Sequence, residues 1–336
     1  MQSGLLTPLW PRMTEAVMLR VMLPRIHFPC LRDFIRADVS PTAVGPLPLD
    51  EANAHHLLRV LRRSPGDAVE VFDGDGQAFL AVLEAGKPAA ISLREQLPVE
   101  PAPALQLGLA QCLSAAEKMD WTIEKAVELG ATHIVPLLSA RSVVKLDASR
   151  AEKRLQHWQR LVVAAAMQCG RNRLPEILPV QPLRQWLGTL PAPAADEHRW
   201  VLHPEGGASL AAQAHAVRDA AAPHAPDSEG RPQPRVNPAA VAGQDDEAGR
   251  PATPAADTAL PEQPEGTAGK DGTVTRPTAG MAWLLCGPES GLAPEELALA
   301  RNQGWQPALL GPRVLRTETA GLVGLSVLQT VLGDLG

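Results

Sequence analysis

Residues 310–321, LGPRVLRTETAG, place several groups that could do chemistry at one junction of the chain. An apolar run ends in a Gly-Pro pair, and two arginines, two threonines and one glutamate follow before a second apolar run begins. Residues 283–297, WLLCGPESGLAPEEL, repeat the arrangement of an apolar run, Gly-Pro and a glutamate before a helix. Glycines at strand ends let a ligand approach the main chain closely. We therefore predict two loops that meet around one ligand.

Other common chemical motifs are missing from the sequence. It contains neither a G-x-G-x-x-G run after a strand nor a G-x-x-x-x-G-K-[ST] run, which argues against both common nucleotide-binding fingerprints. The four cysteines, Cys30, Cys112, Cys169 and Cys286, form no C-x-x-C pair, so we expect free thiols rather than zinc or a disulfide framework. His55 and His56 lack ligand partners at metal-binding spacing, and we expect no metal.

The length of 336 residues is enough for two ordinary domains. No run approaches the roughly 18 to 20 apolar residues that span a bilayer. The first 20 residues lack a signal-peptide pattern. We therefore expect a cytoplasmic protein without a membrane anchor.

The segment 211–280 has a different composition from the rest of the chain. It contains ten prolines, no aromatic residue, and ten acidic against six basic residues, so it accounts for most of the net charge of −6. Such a segment buries too little apolar surface to offset its ordering entropy. We predict a disordered insertion.

Two kinds of periodicity divide the remaining chain. Residues 67–85 alternate around Asp-Gly-Asp-Gly, which predicts two strands joined by a turn in a small β-barrel or sandwich. After residue 100, strands alternate with helices, which predicts a parallel sheet covered on both faces. Capping boxes are predicted at Ser114 with Glu117 and at Ser149 with Glu152. Ligands bind such sheets at the carboxyl ends of strands, here HPEGG, GPESGL and LGPRVLRTET.

Clustered arginines indicate nucleic acid as a partner. Arg171, Asn172 and Arg173 follow a predicted helix end, and arginine forks suit phosphates while asparagine can read a base edge. An exposed charged loop is the equally good alternative for this stretch alone. The N-terminal part adds a basic cluster typical of an RNA-docking module, which includes Arg25, Arg59, Arg62 and Arg63.

Six segments resemble, in order, the ribosomal RNA small subunit methyltransferase E family of the SPOUT superfamily: LPRIHFP, HHLLRVLRRSPGD, EKAVELGATHIVPL, QHWQRLVVAAAMQCGRNRLPEI, LLCGPESGLAPEEL and LGPRVLRTETA. The resemblance covers residues 23–336 apart from the insertion. It implies a PUA-like RNA-binding domain at 22–99 and a SPOUT methyltransferase domain at 100–336, with 1–21 as an extra segment. It also implies a trefoil knot, one of the rare exceptions to unknotted topology.

The resemblance further implies that S-adenosylmethionine is the cofactor, that 16S rRNA is the substrate, and that the domain forms a homodimer. A long apolar final helix, which a monomer would leave partly exposed, also favours the dimer. The residues expected to hold the cofactor are His203, Gly287, Pro288, Glu289, Gly291, Leu310, Gly311, Leu315, Arg316 and Thr317.

The implied reaction transfers a methyl group to N3 of a uridine. It requires in-line positioning and an acceptor for the N3 proton, and the base must be unpaired because N3 lies on its pairing edge. We expect Arg25, Arg171 and Asn172 to hold phosphate and base, and Glu318 to accept the proton. Two alternatives stay open at this point, a non-catalytic RNA-binding or assembly factor and an enzyme acting on another RNA nucleotide.

Three positions depart from the family pattern. Ser290 stands where glycine is usual, which would cost roughly 1 kcal/mol if the position needs a positive φ. Ala293 replaces a common serine and removes a helix N-cap worth about 1 kcal/mol. Met167 stands where a glutamate is common, which puts any role of that carboxylate in doubt.

Overall fold

The computed structural model describes residues 23–29, 31–35, 41–142, 147–205, 207–221 and 279–335. The predicted extra segment 1–21 lies outside the described residues, and so do residues 222–278 of the predicted insertion. Within the described ranges, no helix combines the length and apolar character needed to cross a membrane.

The N-terminal domain is a five-stranded sheet in which only the β1–β3 pair is parallel, and the strand order is β1-β3-β4-β5-β2. Its strands are β1 (Arg25–His27), β2 (Leu47–Pro48), β3 (Ala68–Phe72), β4 (Ala78–Glu84) and β5 (Ala90–Gln96). Its helices are α1 (Leu31–Phe34) and α2 (Glu51–His55), and α2 continues into a π-helical turn over His56–Val60. The predicted turn joins β3 to β4, where the Asp73 carboxylate accepts hydrogen bonds from the Asp75 and Gln77 amides at 2.7 and 3.0 Å.

The second sheet is parallel in all its pairs and has the order β12-β10-β11-β6-β7-β8, with β9 also paired to β7. Its strands are β6 (Leu105–Cys112), β7 (His133–Leu138), β8 (Glu176–Ile177), β9 (Gln181–Pro182), β10 (Glu197–Leu202), β11 (Ala279–Cys286) and β12 (Gln306–Ala308). The helices that follow residue 100 are α3 (Ala116–Glu128), α4 (Ala148–Cys169), α5 (Leu183–Thr189), α6 (Leu210–Ala221), α7 (Pro294–Asn302) and α8 (Thr317–Val331). The predicted parallel α/β architecture is confirmed.

Helices cover both faces of this sheet because adjacent strand residues point in opposite directions. Leu284 of β11 packs in a core with α3, α4, α6 and α8, whereas its neighbour Leu285 packs in a core with α5 and α7. Both faces are therefore apolar, and polar chemistry is confined to the ends of the strands.

Both predicted capping boxes are wrong. Helix α3 begins after Ala115, which has no capping side chain, and the N-cap of α4 is Asp147, whose carboxylate accepts from the Arg150 amide at 2.8 Å. An aspartate at that position caps α4 two residues earlier than Ser149 would. The predicted stop at Gly170 is confirmed, since this residue ends α4 in the left-handed conformation with φ 88°.

The predicted insertion is too long at both ends. Residues 211–221 continue helix α6, in which Leu210 and Ala214 are buried, and residues 279 and 280 belong to β11. The Gln213 side chain accepts from Trp200 Nε1 and donates to the Pro307 carbonyl, both at 3.0 Å. The average composition concealed an amphipathic helix of mostly alanine. The trefoil threading implied by the resemblance stays a prediction.

Candidate active site

A cleft opens at the carboxyl edge of the parallel sheet, where β10, β11 and β12 end. It has a volume of about 770 Å³, and a pocket of about 170 Å³ adjoins it along Leu202, His203 and Leu315. Ten residues predicted to hold the cofactor line one or both of them: His203, Gly287, Pro288, Glu289, Gly291, Leu310, Gly311, Leu315, Arg316 and Thr317. The structure thus brings together in one cavity three segments that lie far apart in the sequence.

The two Gly-Pro loops are joined by hydrogen bonds. The Thr317 hydroxyl at the start of α8 donates to the Gly287 carbonyl. It accepts in turn from Gln111 Nε2 at 3.1 Å, and the same amide donates to the Cys112 carbonyl at 3.1 Å. Because Gln111 and Thr317 are both buried, these bonds fix the relative position of the loops without competition from water.

The cleft presents bare main chain at its glycines. A Cβ atom at Gly287 would lie 3.1 Å from Leu292 Cγ, closer than an ordinary contact. Gly291 and Gly311 adopt φ values of 72° and 96°, which L side chains rarely adopt. Ser290 does not have a positive φ, so the strain expected there is absent. Its hydroxyl instead donates to the Arg141 carbonyl at 3.0 Å.

Helix α7 is held at its start by Glu296, which compensates for the lost cap at Ala293. The buried Glu296 carboxylate accepts from the Ala293 amide at 3.0 Å and from the Ala140 amide at 2.7 Å. One acidic side chain therefore ties the loop after β7 to the first turn of α7 below the GPESGL loop.

Two buried thiols, Cys112 and Cys286, lie next to the cleft at the ends of β6 and β11. Burial raises the pKa of the Cys286 thiol above its ordinary value, and burial with the neighbouring Cys286 raises the pKa of Cys112 in the same way. Both thiols are therefore poor nucleophiles at neutral pH, since the thiolate is the reactive form.

Lys118 of α3 joins the two acidic residues next to the cleft. Its Nζ atom lies 3.2 Å from Glu318 Oε1 and 3.5 Å from Glu289 Oε1. Glu318 is 8 % exposed and does not belong to the cleft lining, and its Oε2 has no hydrogen-bond partner within the described residues. Its predicted role as a proton acceptor stays a prediction.

Arg25 has a different environment from the one predicted. Its side chain is 9 % exposed, and its Nε–H donates to Glu70 at 3.0 Å. The four remaining N–H groups donate to the carbonyls of Ala166, Met167 and Arg171 and to Asn172 Oδ1, at 2.5–3.3 Å. All five donors of the guanidinium group are used. This side chain therefore ties the N-terminal domain to the end of α4, a contact that we call the joint, and its role in holding phosphate and base stays a prediction.

The segment after α4 is part of the same joint. Arg171 donates to the Val127 and Ala131 carbonyls at 2.8 and 2.9 Å, and burial lowers its pKa from the ordinary value. Asn172 is 4 % exposed, and its main-chain N–H donates to the Glu100 carboxylate. Arg173 Nε donates to the Glu100 and Pro101 carbonyls at 3.0 and 3.1 Å. All three residues therefore bind other parts of the protein in this structure, and their contacts with RNA stay a prediction.

The second basic cluster of the N-terminal domain does face solvent. Arg59 and Arg62 are exposed and Arg63 is half-buried, and all three lie on or just beyond the π-helical turn. Exposed apolar side chains lie beside them, with Val60 57 % exposed and Leu61 38 % exposed. Contact of these arginines with RNA stays a prediction.

Several residues that build the site were missed in the sequence. Gln111, Lys118, Arg141 and Glu296 all act across the fold, on partners at least 149 positions away. Gln111 is a polar residue at the end of the buried strand β6. This position was the one local signal available for any of these four residues.

The fold and the cleft together define an α/β protein with a small-molecule site at the carboxyl edge of a parallel sheet, joined to a small β domain. The family model of an RNA methyltransferase domain matches residues 100–224 and 256–329, and that of an RNA methyltransferase PUA domain matches residues 49–93. The chain belongs to this RNA methyltransferase family. The fold class implied by the resemblance is confirmed.

Known proteins extend this assignment. The chain is 25 % identical to the ribosomal RNA small subunit methyltransferase E of Bacillus subtilis over 82 % of this chain and 86 % of that protein. A Neisseria gonorrhoeae ribosomal RNA small subunit methyltransferase E bound to S-adenosyl methionine has a TM-score of 0.63 at 27 % identity, covering 94 % of this chain and 100 % of that one. A Legionella pneumophila methyltransferase with bound SAM has a TM-score of 0.64 at 28 % identity, covering 93 % and 99 %. The predicted resemblance is therefore confirmed.

Proposed function

We propose that this protein methylates N3 of a uridine in the 16S rRNA of the small ribosomal subunit, in the cytoplasm, with S-adenosylmethionine as methyl donor. The observation that carries the proposal is the cleft closed by two glycine-containing loops that Thr317 locks together. The descriptions of the relatives named above support the coarser part of the proposal, since they name a ribosomal RNA small subunit methyltransferase or a bound S-adenosylmethionine.

The cleft fits this cofactor in size and in chemistry. Its volume of about 770 Å³ lies within the roughly 300–1,000 Å³ typical of small-molecule sites. Leu292, Leu297 and Leu315 offer apolar surface for a nucleoside, and the bare main chain of Gly287 and Gly311 offers polar groups at close range. When bound, the cofactor supplies an electrophilic methyl group on a sulfonium.

The residues of this chain would then act by position and by removal of a proton. The Gly-Pro loops orient the methyl donor, and the open face of the cleft admits an unpaired base. Glu318 is the proposed acceptor of the uridine N3 proton, and the Lys118 ammonium lies 3.2 Å from its Oε1 atom. Because Glu318 does not line the cleft here, this role requires a shift of the first turn of α8 when the substrate binds.

A homodimer forms part of the proposal. Helices α3 and α8 pack together, and each leaves an apolar side chain in solvent, with Trp121 44 % exposed on α3 and Val323 36 % exposed on α8. A second copy would cover them. Light scattering at micromolar concentration is expected to give twice the chain mass, and a monomer mass would exclude this part of the proposal.

The cofactor site is tested by Gly311→Val against Gly66→Val. Both glycines have φ 96° and open space at the Cβ position, so both variants carry the same backbone strain, but Gly66 lies in the N-terminal domain. In calorimetry, Gly311→Val should lose S-adenosylmethionine binding by at least tenfold, and Gly66→Val should retain it. Unchanged affinity in Gly311→Val would remove the cleft from the cofactor site.

A further inference from the structure

Helix α4 carries a line of basic side chains along its exposed side. Arg150, Lys153, Arg154 and Arg160 fall within an arc of about 120°, at about 100° per residue. We call this set the basic stripe. The buried residues Trp158, Val162 and Ala166 lie on the other side of the same helix. The stripe is therefore a surface feature that the packing of α4 does not require.

The charge of the stripe is poorly compensated. Helix α4 contains four basic residues and one acidic residue, Glu152, in a chain with a net charge of −6. Arg150 pairs with Asp147 at 3.4 Å, but both side chains are more than half exposed, so the pair contributes little. In the part of the chain that the structure describes, Lys153, Arg154 and Arg160 form no ion pair.

Like charges three and four positions apart on a helix repel each other. A dense anion held against them would relieve this repulsion. Arg150, Lys153, Arg154 and His157 line a shallow depression, so the stripe presents a concave surface to such a partner. Arginine and lysine side chains that converge in this way suit successive phosphates.

The course of α4 relates the stripe to the cleft. The helix follows β7, so it starts at the carboxyl edge of the sheet, where the loop after β7 contacts the GPESGL loop through Arg141 and Ser290. The helix ends at the joint, where Arg25 binds the Ala166 and Met167 carbonyls. Its 22 residues span about 33 Å between these points.

We infer that the basic stripe binds the phosphate backbone of the RNA whose target nucleotide enters the cleft. This inference rests on the proposed function and adds a contact surface to it. The arginines at the joint donate to carbonyls and carboxylates of the protein, whereas Lys153 and Arg160 of the stripe are exposed and form no ion pair within the described residues. The stripe thus adds exposed cationic groups to the RNA contacts predicted for Arg25 and Arg171.

The test compares two double variants that remove the same charge. Lys153→Gln/Arg160→Gln changes two exposed residues of the stripe, and Arg184→Gln/Arg301→Gln changes two exposed residues on α5 and α7, which cover the opposite face of the sheet. Binding of each full-length variant to a 16S rRNA fragment is measured across salt concentrations, together with S-adenosylmethionine affinity and methylation of small subunits.

The stripe variant should bind RNA about tenfold more weakly at moderate salt, and its log–log salt slope should fall by roughly 1.4 to 1.8 for two lost phosphate contacts. The control should keep the wild-type slope, and cofactor affinity should stay unchanged in both. If the two double variants bind RNA equally well and the wild-type protein methylates 16S rRNA, the basic stripe is excluded as an RNA contact and the proposed function still stands. Normal binding to free RNA with reduced methylation of subunits would indicate a protein partner and also overturn it. If the wild-type protein neither binds nor methylates 16S rRNA, the proposed function fails as well.

Discussion

The joint between the two domains consists of buried charged side chains, whereas the cleft is lined by small residues and open main chain. At the joint, charged side chains are buried and every donor of Arg25 has an acceptor in the protein. In the cleft, small residues leave main-chain groups open, and side chains such as Thr317 and Glu296 work behind the surface. The comparison teaches that an arginine or asparagine in a suggestive motif is a poor guide to ligand contact until its hydrogen-bond partners are known.

The largest expected effect comes from breaking the joint. Arg25→Ala removes the buried ion pair with Glu70 and the hydrogen bonds to the end of α4, and should lower the free energy of unfolding by about 3–5 kcal/mol. Arg94→Ala removes the half-exposed ion pair with Glu84 in the same domain and should cost less than about 1 kcal/mol. Urea denaturation measures both. If Arg25→Ala is as stable as Arg94→Ala and loses only RNA affinity, Arg25 is an RNA contact after all.

A smaller effect is expected from the bond that locks the cleft. Thr317→Val removes the hydroxyl between Gly287 and Gln111, and unpaired buried groups of this kind cost about 1–3 kcal/mol. S-adenosylmethionine affinity should fall accordingly, and Thr317→Ser should recover most of it. Thr330→Val, which removes an exposed hydroxyl on the same helix, is the control. Equal affinity in the two valine variants would show that the loops are positioned by other contacts.

The smallest effect is expected from the segment between α6 and β11. Replacing residues 222–277 with a linker of about 10 residues should change stability by only about 1–2 kcal/mol in the favourable direction, since loop-closure cost grows logarithmically with length. A deletion starting at Gln213 should be more damaging, because it removes the bonds to Trp200 and Pro307. Thermal unfolding and methylation assays of both deletions test this difference. Loss of methylation in the shorter deletion would make the segment part of the working enzyme.

Sequence reasoning was successful where the signal is local. Gly287, Gly311 and the Gly-Pro corners identified the cleft because a strand end followed by glycine has few structural uses. It did not foresee the contacts of Arg25, Arg171 and Asn172 within the protein, because their partners lie up to 147 positions away along the chain. It also missed Gln111 and Lys118, whose partners become neighbours only when α3 and α8 pack together. Local pattern thus located the main chain that lines the cleft, and long-range packing decided which polar side chains support it.

The central claim is tested most directly by mass spectrometry of 16S rRNA. RNA is compared from cells that have the protein, from cells that lack it, and from deficient cells supplied with the wild-type or the Gly311→Val chain. The account predicts a uridine methylated at N3 that disappears without the protein, returns with the wild-type chain and does not return with Gly311→Val. Identical 16S rRNA methylation in cells with and without the protein would contradict the account.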